Sequence, residues 1–400
     1  MTLRELGYLS AHERFRSTTT VPHGSNSGHH ATELVDSELI DFSHASPTAP
    51  GAALHQAYAQ ALEQLPRYLL QHGYAQIGLP ELRAAVAARY RARGLPTTPE
   101  QILITNGAQH ALALLVRVLV RPRDRVVVDH PSYPHALHLL RTAKARITPV
   151  ALTGTGWDLP MLTAATEQAQ LAYLLPDFHN PTGLCLDEEA RQRLRLGCLT
   201  VVDETMAELA LDVEPPTPLA AYHRKVITVG SVAKTFWGGL RIGWIRADPA
   251  IVQRLAQART STDLGTPVVE QLASAVLLEQ IETMLPARLD ELRAGRDQLL
   301  HLLAEQLPDW TVAPAVGGLS VWAALPEPIS SALAALAPQY GLRLAAGPRF
   351  GIGGAFERHL RLPYCLDFPA LEAGVAGLRR AVDALHAGHS ASDTPPEEIA

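Results

Sequence analysis

The sequence predicts an α/β protein: a large domain whose mostly parallel sheet is covered by helices on both faces, with a smaller α+β domain. Three observations predict it. Short apolar runs alternate with helix-like stretches from about Gln101 to Thr266, the alternation that buries parallel strands between two helix layers. Every polar motif falls at the end of one of those runs or just after it, where open α/β sheets bind their ligands. Beyond Thr266 the alternation gives way to a long helical stretch and then to short strand-like runs.

Taken in order, Gln101–Thr105 (QILIT) is expected to be a strand and Ala108–Val120 a buried helix. Arg125–Val128, Leu171–Leu175, Leu199–Val202, Lys225–Val229 and Leu240–Ile245 are further short apolar runs of strand length, too short for helices and bounded by turn residues. A helix is expected through Arg288–Gln306. After it come Gly317–Trp322, a helix near Ser330–Ala337, and Leu342–Leu344. The expected division is a polar, mobile arm over 1–37, a large ligand-binding domain over 67–287, a small domain formed by 38–66 with 288–388, and a disordered Ser-, Pro- and Glu-containing tail over 389–400.

Composition narrows the function classes. Hydrophobic residues make up 47% of the 400-residue chain and charged residues 18%, ordinary proportions for a globular protein. The net charge of −6 offers no electrostatic reason to bind nucleic acid. Three cysteines, Cys185, Cys198 and Cys365, are too few and wrongly spaced for a disulfide framework or a metal site. The N-terminus has no basic start followed by an apolar core, and the longest apolar stretch, Ala111–Val120, is interrupted by Arg117; a cytoplasmic protein without a membrane span is expected. The arginine-rich runs Arg83–Arg93 and Arg191–Arg195 carry apolar residues at helical spacing and are expected to be solvated helix faces.

The chemistry gathers at strand ends. Lys234, in Ser231-Val232-Ala233-Lys234, lies in a glycine-rich loop after a buried run; an amine placed there can be deprotonated and form a Schiff base if burial and nearby cations depress its pKa. Ser231 and Arg241 supply a hydroxyl and a guanidinium suited to a phosphate dianion. Asp203 closes the run Leu199–Asp203; a buried acid needs a cationic partner, and a protonated pyridine nitrogen is one. Glu204 beside it is expected to face solvent or a neighbouring helix. Asn180, in Asn180-Pro181-Thr182-Gly183, can donate to a phenolate oxygen and to a carboxylate. Gly107, Ala108 and Gln109 join a strand to a helix whose first amides suit a phosphate. Tyr133 can stack on a planar ring. Arg361, on an apolar strand-like stretch, requires an anion, and an α-carboxylate matches its bidentate geometry.

In this order the positions resemble the fold type I enzymes that use pyridoxal 5′-phosphate (PLP), within the class I/II aminotransferase group. The resemblance runs from about Asp41 to Leu385 and also takes in Tyr74 with Gly78-Leu79-Pro80-Glu81-Leu82-Arg83. Pro176–Gly183 and Ser231–Trp244 further resemble the aminotransferase-like domain of MocR-type bacterial regulators, which carry an N-terminal winged helix. The roughly 40 residues before the domain show no helix-turn-helix pattern, so a free-standing relative of that domain is expected.

The resemblance implies PLP as a Schiff base (internal aldimine) on Lys234, with Asp203 at the ring nitrogen and Asn180 at the phenolate oxygen. It places Gly107, Ala108, Gln109, Ser231 and Arg241 around the phosphate, Tyr133 on the ring and Arg361 on the substrate carboxylate. It also implies a homodimer with shared sites into which Tyr74 reaches, and amino-acid and keto-acid substrates converted through a quinonoid carbanion. Many relatives carry a tyrosine two or three residues after the aspartate; here those positions are Thr205 and Met206. That departure keeps two alternatives open: diversion of the carbanion to lyase, decarboxylase, oxidase or C–C bond-forming chemistry, and a non-catalytic sensor of PLP or amino acids. Substrate specificity is expected from Tyr74, Gly317–Ser320 and Arg349–Phe350.

Overall fold

The computed structural model describes residues 39–154 and 156–388; the expected arm over 1–37 and tail over 389–400 lie outside them. An eight-stranded sheet dominates. Its spatial order is Ile102–Thr105, Gly243–Arg246, Val226–Ser231, Leu199–Asp203, Leu171–Leu174, Arg125–His130, Arg146–Thr153 and Gly156–Trp157. The five strands from Val226–Ser231 to Arg146–Thr153 are mutually parallel, whereas Gly243–Arg246 runs antiparallel to both of its neighbours. The sheet is therefore mixed, with a parallel centre. Because Ile102–Thr105 is antiparallel to an antiparallel strand, its carboxyl end lies on the same edge as those of the parallel set.

Alternate residues of the strands feed different cores, as a two-period backbone requires. Ile102 and Ile104 pack with the helices Pro80–Ala92 and Val268–Glu279. Leu103, between them, packs instead with Gly107–Leu119 and Pro134–Thr142. Likewise Val126 and Val128 face the second core, while Val127 turns to a third with Ala172, Leu174 and Val202. Helices thus cover both faces, which explains why strands such as Val126–Val128 are apolar without alternation. Local signals start the helices: Asp158, Asp187, Asp248 and Asp367 each accept a first-turn amide, and Pro80 and Pro134 begin theirs.

The strand Arg146–Thr153 has no counterpart among the expected apolar runs. It is half-exposed, contains Pro149 and lies near the sheet edge, with only Gly156–Trp157 beyond it, so neither burial nor propensity marks it.

A four-stranded antiparallel sheet, in the order Thr311–Val312, Ser320–Ala324, His359–Pro363 and Ala345–Ala346, forms the smaller unit. Its core is shared with the helices Ile281–Gln306 and Phe368–His386. The segment 38–66 divides, although it was expected to pack wholly there. Ile40–Asp41 pairs with Leu342–Arg343, and Phe42 enters the small core. The helix Gly51–Gln64 instead buries Ala57 and Ala61 with Leu82 and Ile104 of the large unit. Small residues on a weakly amphipathic helix do not announce which core receives them. The helix Ile281–Gln306 also runs unbroken across the expected boundary at 287/288.

The arginine-rich runs are not uniformly solvated faces. Arg193 and Arg195 are exposed, but Arg191 has no exposed surface and pairs with the equally buried Asp177. Arg89 binds Glu208 at 2.6 Å and Arg93 binds Glu204 at 3.2 Å. Glu204 accordingly faces the end of the helix Pro80–Ala92, one of its two expected surroundings. Arginine stems coat apolar surface while their heads find buried carboxylates, a choice helical periodicity does not report.

Candidate active site

The carboxyl edge of the large sheet opens into a cavity of about 290 Å³ between the two sheets' domains. The strands Leu199–Asp203 and Val226–Ser231 deliver Asp203 and Ser231 as their last residues, and the chain beyond Ser231 turns to present Lys234. Asn180 follows the strand Leu171–Leu174. Tyr133 caps the helix Pro134–Thr142 after Arg125–His130, and Ala108 and Gln109 begin the helix after Ile102–Thr105. Arg361 enters from the small sheet. All eight of these side chains line the cavity, as does Arg241.

The Lys234 ammonium donates to the Ala45 carbonyl at 2.6 Å. Burial pushes its pKa down to about 8; Arg361 and Arg241 push the same way, and Cys365 and Asp203 oppose them. About a tenth of this amine is neutral at pH 7, far more than for an ordinary lysine, and attack on a carbonyl requires the neutral form. Asp203 is 5% exposed. Tyr173 donates its hydroxyl to Asp203 Oδ2 at 2.8 Å, and the Thr205 amide donates to Oδ1 at 3.1 Å. Burial raises the Asp203 pKa, while these hydrogen bonds and Lys234 hold it down. Tyr173 pairs in register with Val201, two residues before Asp203 on the neighbouring strand, so the two side chains share one face of the sheet. Tyr173 was missed by the sequence reading, because a tyrosine inside an apolar strand reads as core.

An anion cradle lies at the other end. Ser231 Oγ donates to the Ile242 carbonyl at 2.8 Å and accepts the Ala233 amide at 3.1 Å. Arg241 has a left-handed backbone (φ +52°), and its Nη2 reaches the Asn106 carbonyl at 3.4 Å. Gly107 has φ +80°, and a Cβ there would lie 2.7 Å from Arg241 Nη2. Glycine alone lets this guanidinium meet the first turn of the helix. Gly107 itself does not line the cavity; it makes room.

Arg361, 6% exposed, donates to the Ser43 carbonyl and lies 5.3 Å from the Phe350 ring centroid, while its Nε has no partner. Burial pushes its pKa down to about 10, with Arg349 adding to the effect. Asn180 Oδ1 and Gln109 Oε1 are also buried without partners. Burial pushes the Tyr133 phenol up to about 12, with Asp203 adding.

Of the residues expected to set specificity, Arg349 and Phe350 line the cavity, but Gly317–Ser320 and Tyr74 do not. Tyr74 is 59% exposed and lines a separate groove with His72 and Gln253. Ser43–Ser46 and His135, which do line the cavity, were not anticipated. The polar Ser43–Ser46 turn precedes a helix and has no motif that marks it. Among the described residues there is no metal-ligand cluster and no helix long and apolar enough to cross a membrane.

The donor set fits PLP. An amine with a depressed pKa lines the same space as a buried carboxylate, a hydroxyl and guanidinium lie near helix amides, and the unsatisfied Arg361 Nε is a free donor in the same lining. Buried polar atoms without partners are costly, and a polar ligand would relieve that cost.

Residues 46–376 match the family described as aminotransferase class I and II. The chain is 30% identical to aromatic-amino-acid aminotransferase 1 of Thermococcus litoralis, over 79% of this chain and 78% of that protein. It is also 30% identical to the probable rhizopine catabolism regulatory protein MocR of Rhizobium meliloti, over 63% of this chain but 54% of that protein. The crystal structure of the α-aminoadipate aminotransferase LysN of Thermus thermophilus, complexed with N-(5′-phosphopyridoxyl)-L-leucine, superposes with a TM-score of 0.80 at 30% identity, covering 88% of this chain and 94% of that one. With the fold and the cavity, these likenesses establish that the chain belongs to the class I and II aminotransferases, a family of PLP-dependent fold type I transferases.

Proposed function

We propose that this protein transfers an amino group from an amino acid to a keto acid, with Lys234 as the covalent attachment point of PLP and as the group that moves the proton. The observation that carries the reading is the meeting of Lys234, Asp203 and Arg361 in one cavity. Bound PLP supplies a carbonyl for condensation with amines and a ring that accepts electrons from the substrate α-carbon. Lys234, part neutral because it is buried, takes the α-proton and returns it as a general base and acid. Asp203 keeps a negative charge where the ring nitrogen would sit, its two oxygens oriented by Tyr173 and Thr205. Asn180 would donate to the phenolate oxygen of bound PLP, and Tyr133 would pack against its ring. Ser231, Arg241 and the Ala108 and Gln109 amides hold the phosphate, with Gly107 leaving them space. Arg361 takes the α-carboxylate through the face that carries its free Nε.

The assembly we propose is a homodimer in the cytoplasm, in which the exposed Tyr74 reaches the site of a second copy; sedimentation of the purified protein as a monomer would remove that part. The test of the function is direct. Purified protein should be yellow and, with an amino acid, should convert PLP to its amino form while releasing keto acid.

One observation favours a second reading. Met206 and Thr205 line the cavity at the two positions where the resemblance implies a tyrosine, and Thr205 is turned to Asp203. A weaker donor set there favours another fate for the α-carbon electrons, which release of ammonia, hydrogen peroxide or CO2 from the same incubation would reveal. A sensor role is supported by the MocR likeness; amino-acid binding without any turnover would select it.

A further inference from the structure

Two residues that do not line the cavity, Asn106 and Asp263, meet behind the phosphate cradle. Asn106 occupies the cap position of the helix Gly107–Leu119. An asparagine there ordinarily turns its side-chain oxygen onto the second or third amide of its own helix. Those amides belong to Ala108 and Gln109, the two that the proposed function gives to the phosphate. Asn106 makes no such bond. Its Nδ2 donates instead to Asp263 Oδ2 at 2.9 Å, and its Oδ1 is buried without a partner. An ionised carboxylate only accepts hydrogen bonds, so Asp263 takes the NH2 end of the amide. The oxygen that would cap the helix is left unused.

Asp263 is itself held from behind. Its Oδ1 accepts from Arg259 Nε and from the Gly265 amide at 3.1 Å. Arg259 has no exposed surface. It donates to the carbonyls of Gln76 at 2.9 Å and Ile104 at 2.6 Å, and to Thr266 Oγ1 at 2.9 Å. Ile104 lies in the strand that leads into the cradle, so this arginine fixes the Asp263 loop against that strand. The Asn106 backbone has separate anchors. Its amide donates to His110 Nδ1 at 3.1 Å, a nitrogen that also lies 3.5 Å from Asp263 Oδ2, and its carbonyl accepts from Arg241. The bond to Asp263 therefore governs chiefly which way the Asn106 side chain turns.

We propose that Asp263 is a positioning residue for the cradle: it holds the Asn106 side chain off the Ala108 and Gln109 amides and so keeps them free for a phosphate. The inference rests on the reading of this cradle as the phosphate site of PLP. Without Asp263, Asn106 turns back to cap its helix, and an incoming phosphate must displace it. The expected weakening is about fivefold, the strength of one helix cap.

The experiment titrates the whole chain, stripped of cofactor, with PLP and with pyridoxal, which carries the same aldehyde but no phosphate. The ratio of the two affinities isolates the phosphate. Asp263→Asn keeps an oxygen for Arg259 but sets a donor before Asn106. Its ratio should fall about fivefold, with pyridoxal affinity unchanged, and adding Asn106→Ala should restore it. Asn106→Ser, a strong cap too short to reach Asp263, should lower the ratio by itself, whereas Asn106→Ala alone should not. This second pair leaves Asp263 with Arg259 and tests the same competition; thermal melts confirm folding. Equal losses of PLP and pyridoxal affinity in Asp263→Asn, an unchanged ratio, or a lowered ratio that Asn106→Ala does not restore overturns the proposal. If the wild type takes up neither aldehyde, the cofactor reading fails. Calorimetry of inorganic phosphate with the same variants then still decides the role of Asp263 by the same order of affinities.

Discussion

Arg191 and Arg361 are almost equally shut off from water, at 0% and 6% exposure, yet they are held in opposite ways. Arg191 lies in the wall behind the cavity. It donates to the carbonyls of Leu186, Pro176 and Thr217 and to the carboxylate of Asp177. Burial alone would lower its pKa, but Asp177 and its other partners raise it. Arg361 lies in the cavity itself. It has one carbonyl partner, an aromatic ring beside it and a bare Nε, and burial leaves its pKa depressed. The wall spends its arginine on the fold, and the cavity keeps one in reserve for a ligand. Substitutions in the two regions should therefore divide into losses of stability and losses of function.

The largest effect belongs to the cavity. Lys234→Ala should yield colourless protein with turnover reduced by at least about 10⁴-fold, since the proposed attachment point and proposed proton carrier would both be gone. Its thermal unfolding should remain near wild type when both proteins are compared without cofactor. A variant that lost stability instead would blur the distinction between cavity and wall. In the wall, Arg191→Leu leaves Asp177 buried and unpaired, so chemical denaturation should show a loss of about 3–5 kcal/mol. Adding Asp177→Leu to that variant should recover much of it.

Arg361→Leu tests the contrast most directly. Steady-state kinetics should show kcat/KM reduced by about 10²-fold, with the cofactor-free melting temperature unchanged or higher because no carboxylate is stranded. A stability loss as large as that of Arg191→Leu would show Arg361 to be another structural cation. A smaller effect concerns the Lys234 amine. Only its neutral form adds to a carbonyl, and its pKa is depressed to about 8. Uptake of PLP by cofactor-free protein should therefore accelerate about tenfold between about pH 7 and about pH 9. A rate flat across that range would mean that Lys234 keeps an ordinary amine. The smallest effect is expected at Tyr173→Phe, which removes a donor to Asp203. Without it the Asp203 pKa rises further, so equilibrium dialysis should show PLP held about fivefold more weakly, most clearly at acidic pH.

The amino-acid order alone determined the strands that carry the site, because an apolar run of strand length bounded by turn residues is a local property. It also singled out Lys234, Asp203, Asn180, Ser231, Arg241 and Arg361 as candidate positions, since each sits at a strand end or loop that the backbone pattern marks; all of them line one cavity. Tertiary structure decided what depends on partners distant in sequence. Arg191 and Arg93 proved to be buried ion pairs, Tyr173 a donor to Asp203, Tyr74 a residue outside the cavity, and Ser43–Ser46 part of its lining. It also split the segment 38–66 between two cores. The physical reason is common to these cases. Periodicity reports whether a side chain faces inward, whereas the fate of a buried charge or hydroxyl is set by which group another strand or helix places beside it.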